Sequence, residues 1–217
     1  MYEGIPRVVM PLGRVGPNGV NLLGTCFLLP NRGWFATASH VTENDDRNLV
    51  VLIPEEESLS NYQDTTKKDV KMINAKIIKT DPIHDTTIIE INADVNSTIK
   101  IGSLDSVSVN ENVVLFGYPH ANHGRKVLTS QTTTIGAKIL LDNSGIKSKH
   151  AVVNIQTKPG QSGSPVFSIR NSSIVGILIG SYAPQKSGGI SIGGIDPQTL
   201  HQTSHMVSAE YILRMIK

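Results

Sequence analysis

The chain has 217 residues, enough to bury roughly 70% of its unfolded surface without help from disulfides or metals. Hydrophobic residues make up 39% and charged residues 18%, a balance that excludes a disordered chain. The formal net charge of +2 gives no ground for nucleic acid or an anionic membrane surface as a partner.

From the start, short β-branched runs alternate with Gly, Pro, Asn and Asp, the pattern of strands joined by tight turns. Met1 to Arg7 lacks the basic-then-apolar pattern of a secretion signal, and no apolar run reaches the length of a membrane span. With Cys26 as the single cysteine, no internal disulfide forms, and the expected setting is soluble and cytoplasmic.

Strands are expected at Val8 to Leu12, Leu22 to Leu29, Trp34 to Ala38, Asn48 to Ile53, Val70 to Lys79 and Thr86 to Ile91. Pro30-Asn31-Arg32-Gly33 and Asp81-Pro82-Ile83-His84-Asp85 read as turns, and Glu55 to Lys68 as a mobile polar loop. The turn-rich stretch Asn92 to Asn112 separates two halves, residues 1–104 and 105–217. In the second half, strands are expected at Val113 to Tyr118, over Val127 to Leu141 as two strands or a long bent pair, and at Ala151 to Thr157, Val166 to Ile169 and Ile174 to Ile179. Tyr182 to Gln198 reads as loop, and Met206-Val207 closes the last strand. Ser208 is the expected N-cap of a terminal helix with Ala209, Ile212, Leu213 and Ile216 on one face. Many strands without intervening helices mean barrels or sandwiches, an all-β fold with one helix at its end.

Three segments bear chemistry. The stretch Gly160-Gln161-Ser162-Gly163-Ser164-Pro165 lies between two apolar runs. A serine between glycines has an uncrowded hydroxyl and nearby N–H groups, as acyl transfer requires, although such clusters also serve as plain turns. His40 follows the small residues Ala36-Thr37-Ala38-Ser39, which leave its ring room to enter a cleft. Asp85 stands at the mouth of an apolar strand, where it is either a turn cap or a partner for an imidazole. Nucleophile, base and orienting acid are all present.

With these segments, Gly24-Thr25-Cys26-Phe27-Leu28 and Phe116-Gly117-Tyr118-Pro119 complete a resemblance to trypsin-like (chymotrypsin-fold) serine proteases. The branch it resembles is the bacterial, disulfide-free one of HtrA-like and glutamyl-endopeptidase-like enzymes, here without a PDZ segment. The resemblance implies two six-stranded antiparallel β-barrels with a crevice between them, the first contributing His40 and Asp85, the second Ser162. It implies an endopeptidase acting through an acyl-enzyme, with Ser162 as nucleophile, His40 as base, Asp85 orienting the imidazole, and the N–H groups of Gly160 and Ser162 as oxyanion hole. Gln156, Thr157, Ile179, Gly180 and Ser181 would line the substrate pocket, with Gln202 to His205 nearby. Gln156 falls where a carboxylate would select Arg or Lys, and Leu178 where a histidine would select Glu, so the resemblance favours a small or apolar side chain.

Gln161 occupies the place where zymogen-activated relatives carry an Asp that catches a new N-terminus, so activation by clipping is not expected. Partners are a protein or peptide substrate, with no cofactor. His120 and His123, and His201 and His205, read as solvated or pocket-wall residues and not as a metal site. Two alternatives remain at this stage: a catalytically silent peptide-binding module and an esterase on the same scaffold.

Overall fold

The computed structural model describes residues 3–67, 69–182 and 203–217. His201, Gln202 and most of the expected loop from Tyr182 to Gln198 therefore lie outside the described residues. The first barrel is built from β1 (Val9–Gly16), β2 (Gly19–Leu28), β3 (Trp34–Ala38), β4 (Leu49–Ile53), β5 (Lys71–Asp81) and β6 (Thr86–Ile91). Their order β1-β2-β3-β6-β5-β4 closes on itself, every pairing antiparallel. The strands that follow are β7 (Lys100–Ile101), which lies before the expected boundary at 104/105 yet pairs with the later strand β12, and then β8 (Asn112–Gly117), β9 (Thr129–Asn143), β10 (Ile146–Val153), β11 (Pro165–Ser168), β12 (Ser173–Tyr182) and β13 (Thr203–Ser208). The order β11-β8-β9-β10-β13-β12, closed by β11 pairing with β12, makes the second six-stranded barrel; β7 adds a short parallel pairing to β12. The all-β fold with a terminal helix is as the sequence led us to expect.

Strand residues alternate between two destinations. Met10, Cys26 and Ile89 point into the first barrel, while their neighbours Val9, Phe27 and Ile88 point into the interface between barrels. Leu178 and Met206 fill the second barrel, while Ile177 and Val207 enter that same interface. Side chains on a strand alternate faces, and a strand buried on both faces reads as a continuous apolar run. Phe27 and Phe116 are fully buried in this shared layer; burying such a side chain contributes about 1.5–3 kcal/mol.

Several expectations change in detail. The stretch expected to hold two strands or a bent pair is the single strand β9, although Gly136 lies within it. That glycine makes room for Asn154, whose Oδ1 would sit 2.4 Å from a Cβ placed there. β10 begins and ends earlier than expected, because Ser144 and Gly145, both at positive φ, make a tight hairpin turn between Asn143 and Ile146. The polar segment after β4 is anchored, not free: the Gln63 amide bonds both the N–H and the C=O of Leu128, at 2.7 and 2.8 Å.

The chain ends in α2 (Glu210–Ile216), which buries Tyr211, Ile212 and Met215. The helix starts from Ala209, so Ser208 is not its N-cap. The Ser208 hydroxyl instead accepts the Leu104 N–H at 3.1 Å and donates to the Glu210 carboxylate. Tyr211 stacks on His84 of the first barrel, ring centroids 3.6 Å apart, and its hydroxyl accepts the Lys149 N–H of the second. The terminal helix thus spans both barrels beside the Asp81–Asp85 turn. Among the described residues no helix is long and apolar enough to cross a membrane.

Candidate active site

β3 stops at Ala38, as expected, and a single helical turn, α1 (Ser39–Thr42), carries His40. Asp85 lies across from it, at the end of a turn in which His84 bonds the Asp81 carboxylate through both its N–H and its ring Nδ1. Asp85 has a φ of +50°, a left-handed conformation that Asp tolerates better than most residues. Its main-chain carbonyl accepts the Ser39 N–H. Its carboxylate grips His40 twice: Oδ1 accepts the His40 N–H at 2.9 Å, and Oδ2 meets His40 Nδ1 at 2.7 Å. A carboxylate only accepts, so Nδ1 carries the proton and Nε2 is left with a free lone pair. Thr86 and Thr87, polar at the mouth of an apolar strand, are buried but satisfied, through the His84 carbonyl and the Ser39 hydroxyl.

The Ser162 segment is two turns back to back. Gln161 N–H bonds Lys158 C=O at 3.1 Å, with Pro159 at the second position and Gly160, φ +91°, at the third. Proline fixes φ near −65°, so this is a type II turn, which demands positive φ at its third residue. Ser164 N–H then bonds Gln161 C=O at 3.0 Å, with Ser162 second and Gly163, φ +87°, third. Gly163 N–H goes to Leu178 C=O. Among the described residues, the N–H groups of Gly160 and Ser162 meet no acceptor, while those of Gln161, Gly163 and Ser164 all do.

Thr25, fully buried in β2, holds this loop to the first barrel. Its N–H donates to Ser162 C=O at 2.9 Å and its hydroxyl to Gly160 C=O at 3.0 Å. The sequence reading missed this role; the signal was a polar residue inside the apolar run Leu22 to Leu29. Over Gly24 the Ser162 carbonyl and the Val41 side chain converge, each 2.9 Å from where a Cβ would stand. The residue after His40 and the candidate nucleophile thus share one neighbour.

The expected pocket residues fall into two groups. Thr157 is buried and donates its N–H to Ser204 Oγ at 3.0 Å; Ser204 pairs with Ser181 across β13 and β12. Ile179 is the bulge residue of β12, packed against both the interface and the first barrel. Gly180 has φ +137°, and among the described residues nothing lies within 4 Å of where its Cβ would stand. Gln156 stands apart, exposed, with its Oε1 accepting Lys158 Nζ. Burial lowers the pKa of His205 on β13. Burial likewise brings His150 on β10 down to about 4, with the charges of His205 and His84 acting in the same direction.

A family model of the trypsin-like peptidase domain matches residues 24–177. The chain belongs to the trypsin-like peptidase family. It is 28% identical over 156 residues to a probable periplasmic serine endoprotease, DegP-like, of Pseudomonas fulva, an alignment covering 71% of this chain and 28% of that relative. The chain therefore spans about a third or less of the curated relatives it matches. Among solved structures, the MamO protease domain of Magnetospirillum magneticum matches with a TM-score of 0.70 at 14% identity, over 100% of both chains. The HtrA-type protease AlgW with a bound decapeptide matches with a TM-score of 0.65 at 15% identity, over 96% of this chain and 62% of that one. These two likenesses establish the fold. The relatives' shared name places them in the periplasm, which corrects the cytoplasmic expectation. A single cysteine forbids an internal bridge but does not distinguish a reducing compartment from an oxidising one.

Proposed function

We propose that this family member is a serine endopeptidase acting in the periplasmic setting of its relatives. The observation that carries the proposal is the doubly bonded His40–Asp85 pair, at 2.7 and 2.9 Å; it is supported by a serine turn that shares the neighbour Gly24 with Val41 and whose Gly160 and Ser162 N–H groups meet no acceptor among the described residues. Ser162 Oγ attacks the scissile carbonyl and gives its proton to His40 Nε2. The carbonyl oxygen, now negative, is received by the N–H groups of Gly160 and Ser162. His40 returns the proton to the leaving amine, and the C–N bond breaks. Water, deprotonated in turn by His40, then releases the acyl group. Asp85 holds the imidazole in the tautomer that leaves Nε2 able to accept, and it stabilises the imidazolium. The substrate is a peptide strand laid along β12, with Thr157, Ile179, Gly180 and Ser181 around the side chain before the cut; the peptide-bound neighbour supports that partner.

The test is covalent labelling with a fluorophosphonate probe, with peptide cleavage measured alongside. The parent chain is expected to label at one serine and to cleave an unfolded protein such as casein. Ser162→Ala is expected to abolish both while keeping the circular dichroism spectrum. Labelling that survives the substitution would falsify the assignment of the nucleophile, and labelling without peptide cleavage would point to ester chemistry.

A further inference from the structure

Gln161, the residue before the proposed nucleophile, is fully buried, yet it carries no charge. Its backbone closes the first type II turn and opens the second. Its side chain reaches in two directions: Oε1 accepts the Lys158 N–H at 2.7 Å, and Nε2 donates to Gln131 Oε1 at 2.8 Å. Gln131 is itself fixed in β9, opposite Leu115 of β8. The Gln161 amide therefore ties the turn that carries Gly160 to the wall of the second barrel.

The tie matters because a type II turn has a near relative. Rotating its central peptide gives a type I turn, whose third residue has negative φ, and glycine accepts either sign. Here the central peptide joins Pro159 to Gly160. Its rotation would swing the Gly160 N–H away from the side on which the Ser162 N–H stays. Two contacts oppose this: His120 N–H on Pro159 C=O at 2.6 Å, and the Gln161 side chain on the first residue of the turn. Building on the acyl-transfer reading of Ser162, we infer that Gln161 and Gln131 are a positioning pair that keeps the oxyanion-binding turn in its working form. Neither amide touches substrate; both act through the Gly160 peptide.

The experiment compares Gln161→Met, Gln131→Met, the double variant and Gln161→Glu in the full chain. The readouts are kcat and KM on labelled casein and the rate of fluorophosphonate labelling. Methionine keeps the volume and removes the hydrogen bonds. Gln161→Met is expected to lower kcat and labelling about ten- to a hundredfold, with KM changed by less than about twofold. Gln131→Met should lose about three- to tenfold, and the double variant no more than Gln161→Met alone, because the two amides act as one strut. Gln161→Glu still accepts the Lys158 N–H and faces a Gln131 amide free to turn its NH2 inward, so it should recover to within about fivefold of the parent. A parental kcat in Gln161→Met, or a loss confined to KM, overturns the inference. If Gln161→Met does not fold, an unchanged kcat in Gln131→Met overturns it alone. Amide hydrogen exchange gives a reading that needs no catalysis: in Ser162→Ala, adding Gln131→Met should speed exchange across residues 158–163 about tenfold. Unchanged exchange there refutes the strut, whereas an unlabelled parent refutes only the assignment of Ser162.

Discussion

Replacing Gly163 by alanine probes the serine turn at its tightest contact. The residue sits at φ +87°, in the left-handed region, where a side chain on an L-residue costs about 1–2 kcal/mol. The new Cβ would also stand 2.1 Å from Thr25 O, 2.4 Å from Thr37 Oγ1 and 3.2 Å from Ala38 N. The first and last are backbone atoms, so the turn must retreat from the first barrel; forced overpacking of this kind costs about 1–3 kcal/mol. Retreat also stretches the bond from Thr25 N–H to Ser162 C=O. The first two terms give about 2–5 kcal/mol, a large share of the roughly 5–15 kcal/mol that holds a protein folded. For a chain of this size that corresponds to a fall in Tm of about 4–20 °C. Thermal melting followed by circular dichroism measures it, with fluorophosphonate labelling as the second readout. A variant melting within about 2 °C of the parent and labelling at the parental rate would refute the contact as described here.

Two further outcomes follow from the site. Asp85→Asn should keep the fold but lower the labelling rate about 10⁴-fold, because an amide NH2 facing Nδ1 drives the imidazole proton onto Nε2; a loss of less than tenfold would count against the tautomer argument. Stability should also fall in acid on account of His150. Its native pKa, about 4, lies below the ordinary 6.5, so the unfolded chain binds this proton first. The stabilisation is complete above about pH 6.5 and is lost as pH falls towards 4, by up to about 3 kcal/mol. Urea denaturation at several pH values should show this slope, and His150→Leu should flatten it; an unchanged slope would assign the acid sensitivity elsewhere.

Much of this architecture can be read from the residues themselves. Strands buried on both faces announce themselves as unbroken apolar runs, so Leu22 to Leu29 and Thr86 to Ile91 fall where expected. The hairpin of β9 and β10 was harder, because its outer residues are polar or exposed and the one glycine within β9, Gly136, serves Asn154 and not a turn. Gln63 looked like part of a free loop because nothing in its own neighbourhood reveals a partner 65 positions away. The same limit hid the site's supports. His40, Asp85 and Ser162 stand out by residue type and flanks, but Thr25 and Gln131 are ordinary strand residues whose role exists only once the barrels meet. Compartment was not legible at all, since one buried thiol suits either redox environment.

Thr25 carries a consequence for the order of events in synthesis. Besides its two bonds to the serine loop, its hydroxyl accepts the Tyr118 N–H and its carbonyl accepts the Thr37 hydroxyl. Four polar groups from distant parts of the chain thus converge on one side chain and its peptide units. The first half of the chain leaves the ribosome before Tyr118, Gly160 and Ser162 exist to meet Thr25, so three of these four bonds form only when the second half arrives. On the acyl-transfer reading proposed for Ser162, the turn that bears it therefore gains its anchorage on Thr25 only after both halves have been made.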